Sequence, residues 1–156
     1  MNDTEFVIEP GRQDIVMRRV FDAPRETVFR AITDPELIPR WWGREEHDTR
    51  VDRMEVRPGG IWRFVETDAD GHQHAFRGVY HSVAPERTVL TFEYEGAPGH
   101  VALQTLTLDE IDGRTRYQAA SVFQSIEDRD AMVMAGMEVG ARESMNQLAA
   151  LVQQLG

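Results

Sequence analysis

Cysteine is absent from the 156 residues. A disulfide frame, a thiolate zinc site and a thiol nucleophile are therefore excluded. Positive charge is scarce: 17 Lys and Arg face 27 Asp and Glu, for a formal net charge of −10. Nucleic-acid binding needs clustered cations that release counterions, and an anionic membrane surface attracts the same clusters, so both partners are disfavoured. The opening MNDTEFVIEP has neither a basic stretch nor an apolar run. No secretory signal is read there, and a cytoplasmic protein is expected. A Ser-His-Asp arrangement and a glycine-rich phosphate loop are also missing; Pro58-Gly59-Gly60 reads as a turn.

What is present is an ordinary globular composition, 41% hydrophobic and 28% charged. A chain of this length forms one domain, read here as residues 1–156, and buries roughly 68–70% of its unfolded surface. After a short extended entry, DIVMRRVF (14–21) reads as a strand. Pro24 then opens a helix over RETVFRAIT, and Asp34-Pro35 restarts a second short one that Pro39 limits. Trp41 and Trp42 follow at its end. By themselves they suit buried core, an exposed docking patch or a pocket wall.

From about residue 46 to 125 the pattern switches to period two, with turn signals at Pro58-Gly59-Gly60, Asp70-Gly71, Ala84-Pro85-Glu86, Gly96-Ala97-Pro98-Gly99 and Asp112-Gly113. This predicts a meander of about six antiparallel strands. Ser125 with Asp128 three residues on resembles a capping box. A single long helix to about Gln153 is expected behind it, with Met134, Met137, Ala141, Met145, Leu148 and Val152 as its apolar stripe and with Gly136 and Gly140 in its interior. Each interior glycine costs about 1 kcal/mol against Ala, so the pair implies close backbone approach or space beside the helix.

Alternation places Trp62, Phe64, Gly78, Tyr80, Leu90, Phe92, Tyr94, Leu106, Leu108, Tyr117, Ala119 and Phe123 on the face toward that helix, and on the same parity Gln104 and Ser121. A few polar groups on an apolar wall are typical of a small-molecule pocket, and equally of groups that bond each other or a buried water.

At the residue level the segments VFDAPRETVFRAITDPELIPRWWG (20–43), VRPGGIWRF (56–64), FRGVYHSVAPERTVLTF (76–92) and GMEVGARESMNQLAALV (136–152) resemble the family named after the activator of the heat-shock-protein-90 ATPase, within the START and Bet v 1-like superfamily. The resemblance spans nearly the whole chain. It implies an α+β helix-grip fold: a curved antiparallel sheet of six to seven strands wrapped around a long C-terminal helix, two short helices after the first strand, and a cavity between sheet and last helix. It also implies that the tryptophan pair closes one end of that cavity. Where relatives often carry Gly-Trp in the last helix, this chain has Gly136-Met137, which suggests a differently shaped floor.

The candidate ligand-binding residues are accordingly Trp41, Trp42, Trp62, Phe64, Tyr80, Phe92, Tyr94, Gln104, Tyr117, Ser121, Met134, Met137 and Ala141. The expected partner is a small hydrophobic or aromatic molecule. The resemblance also implies an alternative, a cyclase- or hydrolase-like enzyme that orients its substrate through Tyr80, Tyr94, Tyr117 or Gln104. A chaperone partner follows from the family's name alone, and a homodimer is left open. No cofactor is expected. His72 and His74 beside Asp68 and Asp70 invite a metal, but DADGHQH breaks the EF-hand spacing and a hairpin tip is usually solvated, so no functional metal is expected. Glu93, Asp109 and Glu138 are read as solvated carboxylates. With no catalytic residue assigned and no paired buried acid and base in view, binding is favoured over catalysis.

Overall fold

Turn residues at 58–60, 70–71, 84–86, 96–99 and 112–113 cut the middle of the chain into hairpins, and the strands between them build one antiparallel sheet in a computed structural model that describes residues 3–156. The elements are β1 Glu5–Val7, β2 Asp14–Phe21, α1 Arg25–Thr33, a single 3-10 turn Ile38–Arg40, β3 Asp48–Met54, β4 Ile61–Thr67, β5 Gln73–Ser82, β6 Arg87–Tyr94, β7 Val101–Ile111, β8 Arg114–Val122, α2 Ile126–Met134 and α3 Met137–Leu155. The sheet order is β1-β2-β8-β7-β6-β5-β4-β3. Register shifts between Val51 and Arg53 and between Tyr80 and Ser82 bend the strands that carry them. The α+β architecture is the expected one, with α3 lying against the inner face of the sheet.

Three expectations need correction. The sheet has eight strands rather than six to seven, because residues 5–7 pair with β2 (Glu5 opposite Arg18); three residues are too few for alternation to show. The second short helix is only the 3-10 turn. Asp34 shapes it by accepting from Leu37 and Ile38 at its carbonyl and from Glu36 at its carboxylate, and prolines at 35 and 39 lack the N–H a longer helix would need.

The third correction concerns the C-terminal helix, which is broken. Ser125 caps α2 by accepting from the Asp128 N–H at 3.0 Å. Gly136 then adopts φ +87°, a left-handed conformation that stops α2 and starts α3. Gly136 is thus a helix breaker rather than an interior glycine. Met134, expected on the inner stripe, is 87% exposed at the end of α2.

The sealed core lies where α1 and the C-terminal half of α3 meet the sheet: Phe21, Val28, Ile38, Leu108, Leu148 and Val152 are all essentially inaccessible. Among the described residues no helix is long and apolar enough to cross a membrane.

Candidate functional site

Toward the N-terminal half of α3 the packing opens. A cavity of about 540 Å³ lies between α3 and the inner sheet face, reaching the loop after the 3-10 turn and the α2–α3 junction. Every candidate residue named from the sequence contributes to its wall except Met134: Trp41, Trp42, Trp62, Phe64, Tyr80, Phe92, Tyr94, Gln104, Tyr117, Ser121, Met137 and Ala141.

One side of the wall is a continuous aromatic surface, set by period-two alternation on β4, β5 and β6. Trp62 meets Phe64 at 4.8 Å and Phe92 at 5.9 Å, and Phe76 meets Phe92 at 5.7 Å and Tyr94 at 5.1 Å. Trp42 closes it, standing edge-on to Phe64 and Phe76. Both tryptophans border the cavity, which adjacent residues manage only on irregular backbone, and Trp41 supplies it with φ −140° and ψ −28°. They differ in role. Trp41 is buried and donates its indole N–H to the Ala31 carbonyl at 2.9 Å, so it ties the loop to α1. Trp42 presents its ring to the aromatic wall.

The loop that carries the pair is fastened to α3. The Gly43 N–H donates to Ser144 Oγ and the Ser144 hydroxyl donates back to the Gly43 carbonyl, both at 2.9 Å. Gln147 donates to the carbonyls of Trp41 and Gly43. Arg44 reaches Glu143 at 3.3 Å, and the Glu45 N–H donates to the same carboxylate. These two partners hold the Glu143 carboxyl below its usual range, the Arg44 guanidinium first and the Glu45 N–H next. Gly43 itself has φ +100°, and a Cβ there would meet Thr49 Oγ1 at 2.8 Å and Glu66 Cδ at 3.2 Å. Only glycine lets the loop sit this closely on the side chains of β3 and β4.

Beneath that loop lies a polar end that sequence reading missed. Glu66 is 5% exposed; its Oε1 accepts from the Arg44 N–H at 3.0 Å and contacts His47 Nδ1. Since the carboxylate already serves as acceptor, we assign Nδ1 of His47 as the nitrogen that donates; in the neutral imidazole Nε2 is then an acceptor. Nearby, His74 lies between Asp68 Oδ2 and the Tyr94 hydroxyl, each at 3.1 Å. His74 is the leading cause that lowers the Asp68 pKa. An ionised Asp68 takes the His74 Nε2–H, so His74 Nδ1 accepts from Tyr94. The His47 and His74 rings are nearly parallel, 6.4 Å apart. Glu66, His47 and His74 all border the cavity.

Two signals for this end were present. Glu66 follows Trp62 and Phe64 at the same parity, and His74 shares parity with Gly78 and Tyr80. His47 sits in a loop without periodicity and offered none. The expectation that no buried acid and base are paired is therefore corrected by Glu66 and His47. The reading of His74 as a solvated tip residue is corrected by its two partners.

Deeper in the cavity the phenols of Tyr80 and Tyr117 and the side chains of Gln104 and Ser121 border the open space. None of them has a hydrogen-bond partner among the described residues, and none is a fully occluded orphan. Burial pushes the Tyr80 pKa up to about 12 and that of Tyr117 upward as well. Both stay protonated donors at neutral pH.

Outside the cavity, ligand atoms of Asp68, Asp70 and His72 lie within 4.8 Å of one another at the β4–β5 hairpin tip. Asp68 Oδ1 already accepts from the N–H groups of Asp70 and His72, so its carboxylate builds the turn. Asp109 is exposed as expected, whereas Glu138 is half-buried and lies 3.7 Å from Arg142. Glu93, expected to be solvated, is instead largely covered: it accepts from the Gly99 N–H at 2.7 Å and from Arg77 at 3.0 Å.

The model of the family described as Activator of Hsp90 ATPase homolog 1-like protein matches residues 22–153. Among solved structures, a protein from Arthrobacter aurescens superposes with a TM-score of 0.89 at 25% identity, covering 96% of this chain and 91% of the other. Protein CV1439 from Chromobacterium violaceum gives 0.81 at 29% identity, with 90% and 96% covered. A protein from Rhodobacter sphaeroides gives 0.85 at 27% identity, with 97% and 100% covered. No curated protein matches the sequence.

Proposed function

The chain belongs to the family of Activator of Hsp90 ATPase homolog 1-like proteins, and on that premise we propose that it binds a small, largely apolar or aromatic molecule in the cavity between the sheet and α3. The observation that carries this is the unpartnered set of Tyr80, Gln104, Tyr117 and Ser121 on the part of the wall that is otherwise mainly aromatic and aliphatic, away from the Glu66 end. Polar groups without protein partners are costly in dry packing and useful where a ligand or water meets them. The volume of about 540 Å³ lies inside the usual range of small-molecule sites, roughly 300–1,000 Å³.

Native mass spectrometry of untagged protein purified from its own host tests this. A co-purifying small molecule that dissociates on denaturation is the expected result. A bare polypeptide mass, together with no uptake of hydrophobic probes, would sink the proposal.

The Glu66–His47 pair favours a second reading, catalysis on a hydrophobic substrate in the same cavity. A carboxylate that fixes one imidazole nitrogen leaves the other placed to take a proton. In that role His47 would be the general base, and Tyr94, Tyr80, Tyr117 or Gln104 would orient a carbonyl. His47→Gln should then abolish turnover of a bound substrate while leaving its affinity nearly unchanged; a parallel loss of both would make His47 a binding group only.

A further inference from the structure

Resting on the ligand-binding reading above, we propose that the occupant is an arylalkyl amine, with its ring along the Trp42–Phe64–Phe76 wall and its ammonium at the Glu66 end. The ground is a count of donors and acceptors. As a neutral imidazole His47 has one N–H, which goes to Glu66, and Nε2 then accepts. His74 donates to Asp68 and accepts from Tyr94, so the Tyr94 oxygen is left with its lone pairs. Glu66 Oε2 has no partner among the described residues. At the polar end His47 Nε2, the Tyr94 oxygen and Glu66 Oε2 are thus acceptors without a donor among the described residues.

The charges agree with that count. Arg44 supplies the one guanidinium of the cavity wall among the described residues, and Glu143 engages it. The chain contains no lysine, so no side-chain ammonium of its own can fill the place. An ammonium brings three donors and no acceptor, which is the complement of such a site; a hydroxyl would bring lone pairs as well. A carboxylate ligand would face the Glu66 charge directly. At the same end Tyr94 stands beside His74, and the face of its ring attracts a cation.

Four probes that differ only in the head group decide it by titration calorimetry at neutral pH: 1-naphthylmethylamine, 1-naphthalenemethanol, 1-methylnaphthalene and 1-naphthoate. The amine should bind at least about tenfold more tightly than each of the other three. Glu66→Gln keeps an oxygen for the Arg44 N–H, and should lower amine affinity about tenfold while leaving 1-methylnaphthalene within about twofold. Equal binding of amine and alcohol, or tightest binding of naphthoate, would overturn the inference. The ranking in the unmutated protein stands whether or not the variant folds. If 1-methylnaphthalene binds and the amine does not, the amine inference fails and the cavity reading survives. If none of the four binds, both fall.

Discussion

Along α3, Met145, Leu148, Leu151 and Val152 are sealed against α1 and the sheet, whereas the stretch 137–144 contains no buried side chain and carries Met137, Gly140 and Ala141 over the cavity. Both halves belong to one continuous helix on one sheet. The difference lies in side-chain bulk: branched Leu and Val interdigitate with Val28 and Ile38, while glycine, alanine and flexible methionine leave the space unfilled. An apolar stripe on a helix therefore does not by itself say core. Its volume per turn decides whether the helix closes a core or roofs a pocket.

The comparison can be broken by stability measurements. Leu148→Ala should cost most, about 3–5 kcal/mol in chemical denaturation, because the fully buried side chain leaves a cavity in rigid packing. Phe92→Ala removes a larger side chain, yet Phe92 is only half-buried and borders open space. Its loss should be about 1–2 kcal/mol. If Phe92→Ala proves as costly as Leu148→Ala, the two ends are packed alike and the distinction fails.

Gly136→Ala comes next, at about 1–2 kcal/mol, the cost of holding a Cβ residue in a left-handed conformation. A Cβ at this position meets no atom within 4 Å, so the loss is a backbone effect. A neutral or stabilising result would mean that the α2–α3 break closes easily into one helix.

Glu143→Gln should cost least, under about 1 kcal/mol at neutral pH, since the Arg44 pair is partly solvated. Its pH dependence has a definite sign. The Glu143 pKa is lowered in the folded protein, so its contribution is present above the carboxylate's unfolded pKa and is lost as pH falls through the folded one. Stabilities of the variant and the unmutated protein should converge in acid. A gap that widens in acid would contradict the assignment of Glu143 as the loop's anchor.

Much of this was legible beforehand because β4 to β8 alternate cleanly, so parity alone brought Trp62, Phe64, Tyr80, Phe92, Tyr94 and Tyr117 to one face. Parity continued one step further would have added Glu66 and His74. His47 was beyond reach, since it arrives on a loop whose course is set by Gly43 and by long-range bonds to Ser144 and Gln147. Met134 was misplaced for a related reason. Periodicity across residues 134–137 looks the same whether Gly136 lies inside a helix or ends one, and only its backbone angle separates the two.

The proposed binding requires open space beside Ala141 that takes up a small aromatic molecule. It is tested most directly by titrating the protein and its Ala141→Trp variant with the fluorescent probe N-phenyl-1-naphthylamine, alongside denaturation of both. Saturable uptake by the unmutated protein, its loss in the variant, and a variant at least as stable as the parent are predicted. No uptake by the unmutated protein, with a variant destabilised by about 1–3 kcal/mol or more as overpacked cores are, would contradict it.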